Sequence, residues 1–198
     1  MHYNQCKLAI DIGGTSVKAG LVRDGKVLKT FEVFLNSDGP ACEILQGFKD
    51  IGTLCKSFAD EQNLQISGVG VSVPGPFDYK HGASLMDHKY PSIKGISLTG
   101  YILDSIGEIP ISYISDASAF LQGAVLQMKI SNPNVCAVTI GTGLGFSCMI
   151  DGKLCHNEKG GPFVILFTKP YKDSIAEEYV SKRAIMRRYC KRTGEMIS

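Results

Sequence analysis

The stretch IDIGGTSVKAGLVRDGKVL, residues 10–28, decides the fold. An apolar run, KLAIDIG (7–13), stops at two adjacent glycines, and a second apolar run, VKAGLV, follows at once. Asp24-Gly25 then marks a tight hairpin turn, after which KVLKTFEVF alternates as a half-buried strand should. Three strands joined by a glycine loop and an Asp-Gly turn are the expectation. The same plan recurs in VTIGTGLGFSCMIDGKL, residues 138–154: apolar strand, glycines with a threonine, second strand, Asp-Gly-Lys. The offset from Ile-Gly to Asp-Gly differs between the copies by one residue. Such a recurrence implies two related lobes, each opening with the same hairpin. The alternative is two unrelated hairpins built from common turn dipeptides.

Between the copies the periodicity changes. From 41 to 63, Ile44, Leu45, Phe48, Ile51, Cys55 and Phe58 form one helical stripe. ISGVGVSVPG (66–75) is a short apolar strand ended by proline and glycine. LTGYILDSIG reads as a short helix, and IPISYIS (109–115) as another strand. Residues 116–130 place Phe120, Leu121, Ala124, Val125 and Met128 on one helical face, and VILF within 162–167 reads as a strand. The tail from 174 to 192 is helical by pattern, with Ile175, Tyr179, Ile185, Met186 and Tyr189 apolar. An α/β architecture of two lobes, 1–115 and 116–198, follows.

Composition excludes several classes. At 198 residues with 44% hydrophobic and 20% charged side chains, the chain can bury one good core or two small ones. A net charge of +2 gives no warrant for a nucleic-acid surface, and the basic cluster at 182–192 fits a solvated helix face. Seven cysteines without paired spacing argue against a disulfide framework, and no CxxC supplies a thiolate zinc site. No basic-then-apolar leader and no span of roughly 20 apolar residues is present, so a cytoplasmic location without membrane contact is the expectation.

The glycine loops carry the chemistry. In DIGGTSVK (11–18) the adjacent Gly13 and Gly14 let backbone N–H groups approach an anion, and Thr15 adds a hydroxyl. Asp11, at a strand end, is placed to hold hydrated Mg beside a phosphate. No Gly-Lys-Ser/Thr follows, so this is no Walker loop, and a strand rather than a helix comes next, so it is no dinucleotide fingerprint. Gly141, Thr142 and Gly143 form a second such loop; two of them facing one another would suit a polyphosphate. Asp116 stands between a strand and a helix, where it is either an N-cap or a base that orients a substrate hydroxyl for attack on a phosphoryl group. The glycines and prolines of SVPGPFD (72–78) form a turn or one wall of a small-molecule cleft.

In order and spacing, AIDIGGTSVKAGLV, GVGVSVPGPFD, SDASA and VTIGTGLGFSCMIDGKL resemble the ROK family of sugar kinases, open-reading-frame relatives and sugar-responsive repressors. The resemblance runs from about residue 8 to 192. It implies the actin-like ATPase (ribonuclease H-like) fold of two α/β lobes around a cleft, with the second lobe incomplete. It also implies Mg-ATP-dependent phosphorylation of a hexose hydroxyl. By position, Gly13, Gly14, Thr15 and Lys18 would serve the first phosphate loop and Gly141, Thr142 and Gly143 the second. Asp116 would be the general base, with Gly75, Ser115 and Ser118 near the sugar. The implied partners are ATP and a small sugar, with assembly into a homo-oligomer left open. No DNA-reading motif precedes the first strand, which disfavours the repressor branch.

The sequence also departs from that family. Ser115 and Ser118 stand where the family carries asparagines, and Lys89 stands where it commonly has an asparagine that contacts sugar. The family's Gly-Glu-x-Gly-His and its cysteine-rich zinc loop are missing; the corresponding stretch here is DGKLCHNEKGGPFVILF (151–167). Cys155, His156 and Glu158 crowd four positions of one turn and cannot converge on a tetrahedral ion, so no zinc site is expected. A glucokinase-like enzyme is one reading. A sugar- or nucleotide-binding relative without kinase activity is the other.

Overall fold

The computed structural model describes residues 4–196. The chain divides into two compact units. The first runs up to Ser115 and takes in Lys159–Gly161; the second is Asp116–Glu158 with the chain from Pro162 onward.

In the first unit, β1 (Gln5–Ile12), β2 (Ser16–Arg23) and β3 (Lys26–Phe34) form an antiparallel meander, followed by helix α1 (Ala41–Glu61) and β4 (Gln65–Val73). Two short strands, β5 (Phe77–Asp78) and β6 (Ala83–Ser84), pair as a small ribbon before α2 (Thr99–Leu103) and β7 (Ile111–Ser115). The five long strands make one sheet in the order β3-β2-β1-β4-β7. β1 pairs antiparallel with β2, and β4 adds to its other edge in parallel. The parallel pairing needs a crossover, and α1 supplies it.

Strict alternation in β1 sends Cys6, Leu8, Ile10 and Ile12 to one face, where the α1 stripe of Ile44, Leu45, Phe48, Ile51 and Cys55 meets them. Phe58 packs against this core from its border. Burying each large apolar side chain contributes roughly 1.5–3 kcal/mol. On the opposite face of the sheet Asp11, Lys18 and Glu32 stand in one cross-strand row.

The second unit opens with α3 (Asp116–Gln127), then β8 (Val135–Ile140), β9 (Leu144–Ile150) and β10 (Lys153–Leu154), a sheet in the order β10-β9-β8. β11 (Pro170–Tyr171) and β12 (Ser174–Ile175) form a ribbon, and α4 (Glu177–Val180) and α5 (Lys182–Thr193) follow. The duplication read from sequence is visible in the backbone. Asp24 and Asp151 have φ 51 and 51, and the glycines after them φ 72 and 73, so both turns use left-handed residues in succession. Each second strand is seven residues from its first paired position to the turn. The pair Ile12↔Val17 leaves a four-residue loop and Ile140↔Leu144 a three-residue one. The single residue of offset therefore lies in the glycine loop itself.

Three expectations change in this unit. The face read on α3 buries Leu121, where the helix packs on β8 and β9, but leaves Phe120 and Met128 at 57% and 73% exposure. Residues 162–167 form no strand: His156 bridges Pro162, a 3-10 turn covers Leu166–Thr168, and Phe163 and Ile165 stay exposed. The tail helix is interrupted at Ser181, whose hydroxyl accepts the Ala184 N–H and caps α5.

Candidate functional site

The first glycine loop closes on itself and is pinned from outside. The Gly13 N–H donates to the Ser16 carbonyl at 2.9 Å, and the Gly13 carbonyl accepts the Tyr90 hydroxyl at 2.5 Å. A side chain at 13 would put its Cβ 2.9 Å from the Ser16 oxygen, so the turn requires glycine there. Gly13 is thus a turn-closing residue whose polar groups serve the fold. The Gly14 and Thr15 N–H groups and the Thr15 hydroxyl donate to no protein acceptor among the described residues. They are the donors this loop offers to a ligand.

The charged residues around the loop fall into two sets. Lys18 lies opposite Asp11 on one side and Glu32 on the other, with its ammonium 3.9 Å from the Glu32 carboxylate. Its charge is therefore partly balanced within the sheet. Asp11 is exposed at the end of β1 and, among the described residues, forms no ion pair. One free carboxylate beside unused backbone donors fits the usual Mg arrangement of one or two carboxylates plus water and phosphate oxygens. Lys89 approaches from a different segment: its Cε and Nζ lie 3.6 and 3.8 Å from where a Cβ on Gly14 would stand.

The remaining first-unit positions lie at strand ends. Gly75 is exposed just past β4, its peptide to Pro76 is cis, and the Tyr79 hydroxyl that donates to the Val73 carbonyl stands beside it. Ser115 is buried at the end of β7.

In the second unit Asp116 is exposed at the start of α3, and one carboxylate oxygen accepts the Ala117 N–H at 2.7 Å. A carboxylate at a helix start is favoured by the exposed amides of the first turn. Ser118 is buried, its hydroxyl 2.9 Å from that of Ser147 on β9. The second glycine loop repeats the plan of the first. The Gly141 N–H donates to the Gly143 carbonyl at 2.9 Å, and the Gly141 carbonyl accepts from a distant element, the Lys182 N–H at 2.7 Å. Here, however, a carboxylate is already present: Glu177 accepts the Leu144 N–H at 2.8 Å and would stand 2.7 Å from a Cβ on Gly143. Gly141 and Thr142 are exposed.

The stretch 151–167 divides between the units. Lys159–Gly161 belongs to the first, where the Lys159 carbonyl accepts the Tyr79 N–H at 3.0 Å and Gly160 lies against Tyr79. Cys155, His156 and Glu158 belong to the second. Among the described residues no three His, Cys, Asp or Glu side chains converge as a metal site would need.

The sequence profile of the ROK family matches residues 7–162. The chain belongs to the ROK family. An N-acetylmannosamine kinase of Vibrio cholerae is 26% identical over 153 residues, covering 77% of this chain and 50% of that protein. A ROK-family glucokinase from Streptomyces griseus, solved with glucose and AMPPNP, superposes with a TM-score of 0.70 at 24% identity over 96% of this chain and 62% of that one. A ROK-family transcriptional regulator, a homologue of the E. coli Mlc protein, superposes with a TM-score of 0.83 at 18% identity over 96% of this chain and 50% of that one. The ROK chain described here thus spans about half the length of the curated relative it matches. Its fold is that of the actin-like ATPases, and its relatives include sugar kinases.

Two residues that hold the loops carry no signal in the local sequence. Tyr90 and Glu177 are 77 and 33 residues from the atoms they hold, and nothing local in KYPS or AEEY advertises the contact. The repeated Ile-Gly…Asp-Gly plan found the loops themselves.

Proposed function

We propose that this ROK protein is an ATP-dependent kinase that transfers a phosphoryl group to a hydroxyl of a hexose or related sugar. The observation that carries the reading is the duplicated hairpin: two turns with matching φ values, each preceded by a glycine loop pinned through its first carbonyl. Paired glycine loops on related lobes suit the two ends of one polyphosphate. In this reading Gly14 and Thr15, with Gly141 to Gly143, hold the phosphates of ATP, while Gly75, Ser115 and Ser118 lie toward the sugar. Asp116 takes the proton of the attacking hydroxyl; the sugar oxygen bonds the γ-phosphorus as the bond to the bridging oxygen breaks, and ADP leaves. Mg held by Asp11 through water would neutralise the phosphate charge that builds in transfer. The working location is the cytoplasm, where ATP and sugar meet. Turnover of ATP to ADP over a panel of hexoses and amino sugars tests this. No ADP above background with any sugar would reject it.

A second reading has its own support. Glu177 occupies the Leu144 N–H that a phosphate would use at the second loop, and the Ser118 hydroxyl is held by Ser147. A ligand-binding ROK protein without transfer activity fits both facts. Thermal shift separates the readings: a sensor is stabilised by sugar or nucleotide yet releases no ADP.

A further inference from the structure

We propose that Lys89 supplies the positive charge of the first glycine loop and binds a phosphate-type anion together with the Gly14 and Thr15 N–H groups. The inference rests on the reading of that loop as a phosphate cradle. Lys18, the lysine that follows the loop in sequence, lies between Asp11 and Glu32 in a cross-strand row and is 3.9 Å from the latter's carboxylate. Lys89 is differently placed. Its Nζ lies 3.8 Å from the point a Gly14 Cβ would occupy, beside the Gly14 and Thr15 N–H groups, which have no protein acceptor among the described residues. Among the described residues it forms no ion pair, and Asp87, two positions away, is engaged by Lys94 at 2.6 Å. An ammonium beside free N–H groups is a receptor for a multiply charged oxyanion.

The lysine is also held in place. Its neighbour Tyr90 is fully buried, bonds Gly13 through its hydroxyl at 2.5 Å, and donates its N–H to the Ser37 carbonyl at 3.0 Å. Tyr90 carries φ 52, a left-handed conformation uncommon for a bulky residue, so surrounding contacts dictate the path of the backbone. Any shift of the 88–91 segment would move the loop with it. Lys89 and Gly14 therefore form one preorganised unit within the first lobe.

The anion has two sources: the terminal phosphoryl group of a nucleotide, or a phosphate already carried by the acceptor sugar. Titration calorimetry of the full chain with tripolyphosphate, ATP and glucose 6-phosphate distinguishes them. Lys89→Met is expected to weaken tripolyphosphate binding about tenfold, as loss of one charge-assisted contact does. Lys89→Arg should stay within about threefold, and both variants should keep the unliganded melting temperature. A loss confined to ATP assigns the nucleotide source; a loss confined to glucose 6-phosphate assigns an anionic acceptor. Equal binding by Lys89→Met and the parent to all three probes, or no binding of any probe by the parent, would overturn the proposal. Asp116→Asn separates this from the kinase reading: binding that depends on Lys89 persists in it whether or not the parent turns over ATP.

Discussion

The Tyr90 hydroxyl donates to the Gly13 carbonyl at 2.5 Å across 77 residues of sequence, so the first glycine loop is fixed from outside its own hairpin. Tyr90→Phe keeps the ring in the core beside Phe48 and leaves a partly buried carbonyl without its donor. Denaturant titration should show a loss of about 1–3 kcal/mol. An unchanged midpoint would mean that water replaces the phenol without cost.

The same phenol sets a pH dependence. Burial pushes Tyr90 up to about 12, above the roughly 10 of an exposed tyrosine. The folded chain therefore keeps a proton that the unfolded chain gives up, and this stabilisation is complete below about pH 10 and lost as pH rises toward 12. The stability difference between the parent and Tyr90→Phe should shrink across that interval. A constant difference from pH 9 to 12 would contradict it.

Helix packing yields a paired prediction. A Cβ on Gly52 of α1 would lie 2.7 Å from the Ile102 carbonyl of α2, and backbone cannot yield as a side chain can. Gly52→Ala should cost about 1–3 kcal/mol. Gly70→Ala, on the open side of β4 with nothing within 4 Å, should stay within about 0.5 kcal/mol. Thermal denaturation of the two variants compares them directly.

The amphipathic code explains where sequence reasoning worked. In β1 and α1 the positions of the apolar stripe have a partner layer, so periodicity and burial coincide for Cys6, Leu8, Ile10 and Ile12 and for Ile44, Leu45, Phe48, Ile51 and Cys55. On α3 and in 162–167 the same code names residues that the fold leaves outside the core: Phe120, Met128 and Phe163 are exposed. The glycine loops were legible because their turn chemistry repeats. Their anchors were not: Tyr90 and Glu177 reach the loops through tertiary contacts that no local pattern encodes.

Glu177 provides the test for the second loop. Its carboxylate accepts the Leu144 N–H and lies 3.5 Å from Arg183. Glu177→Ala should lower stability by about 1–3 kcal/mol, and Glu177→Gln, which keeps an acceptor oxygen, should lose less. If Glu177 competes with phosphate for that N–H, Glu177→Gln also binds tripolyphosphate more tightly than the parent. Equal binding would show that the carboxylate and the anion use separate donors.

Thiol reactivity reports on the core. Burial pushes the Cys55 thiol up to about 12, and Cys6 is raised for the same reason, whereas Cys42 and Cys136 are exposed. Since the thiolate is the nucleophile, iodoacetamide at pH 8 should label Cys42 and Cys136 first and Cys55 only on unfolding. Peptide mapping after brief exposure reads the order, and early labelling of Cys55 would contradict the core described.

The proposed phosphoryl transfer with Asp116 as base is read from ADP release with sugar present, in the parent and in Asp116→Asn. Sugar-dependent ADP release should fall about 10²- to 10⁴-fold in the variant, while nucleotide binding is unchanged. Equal rates in the two proteins, or no sugar-dependent release in either, would contradict it.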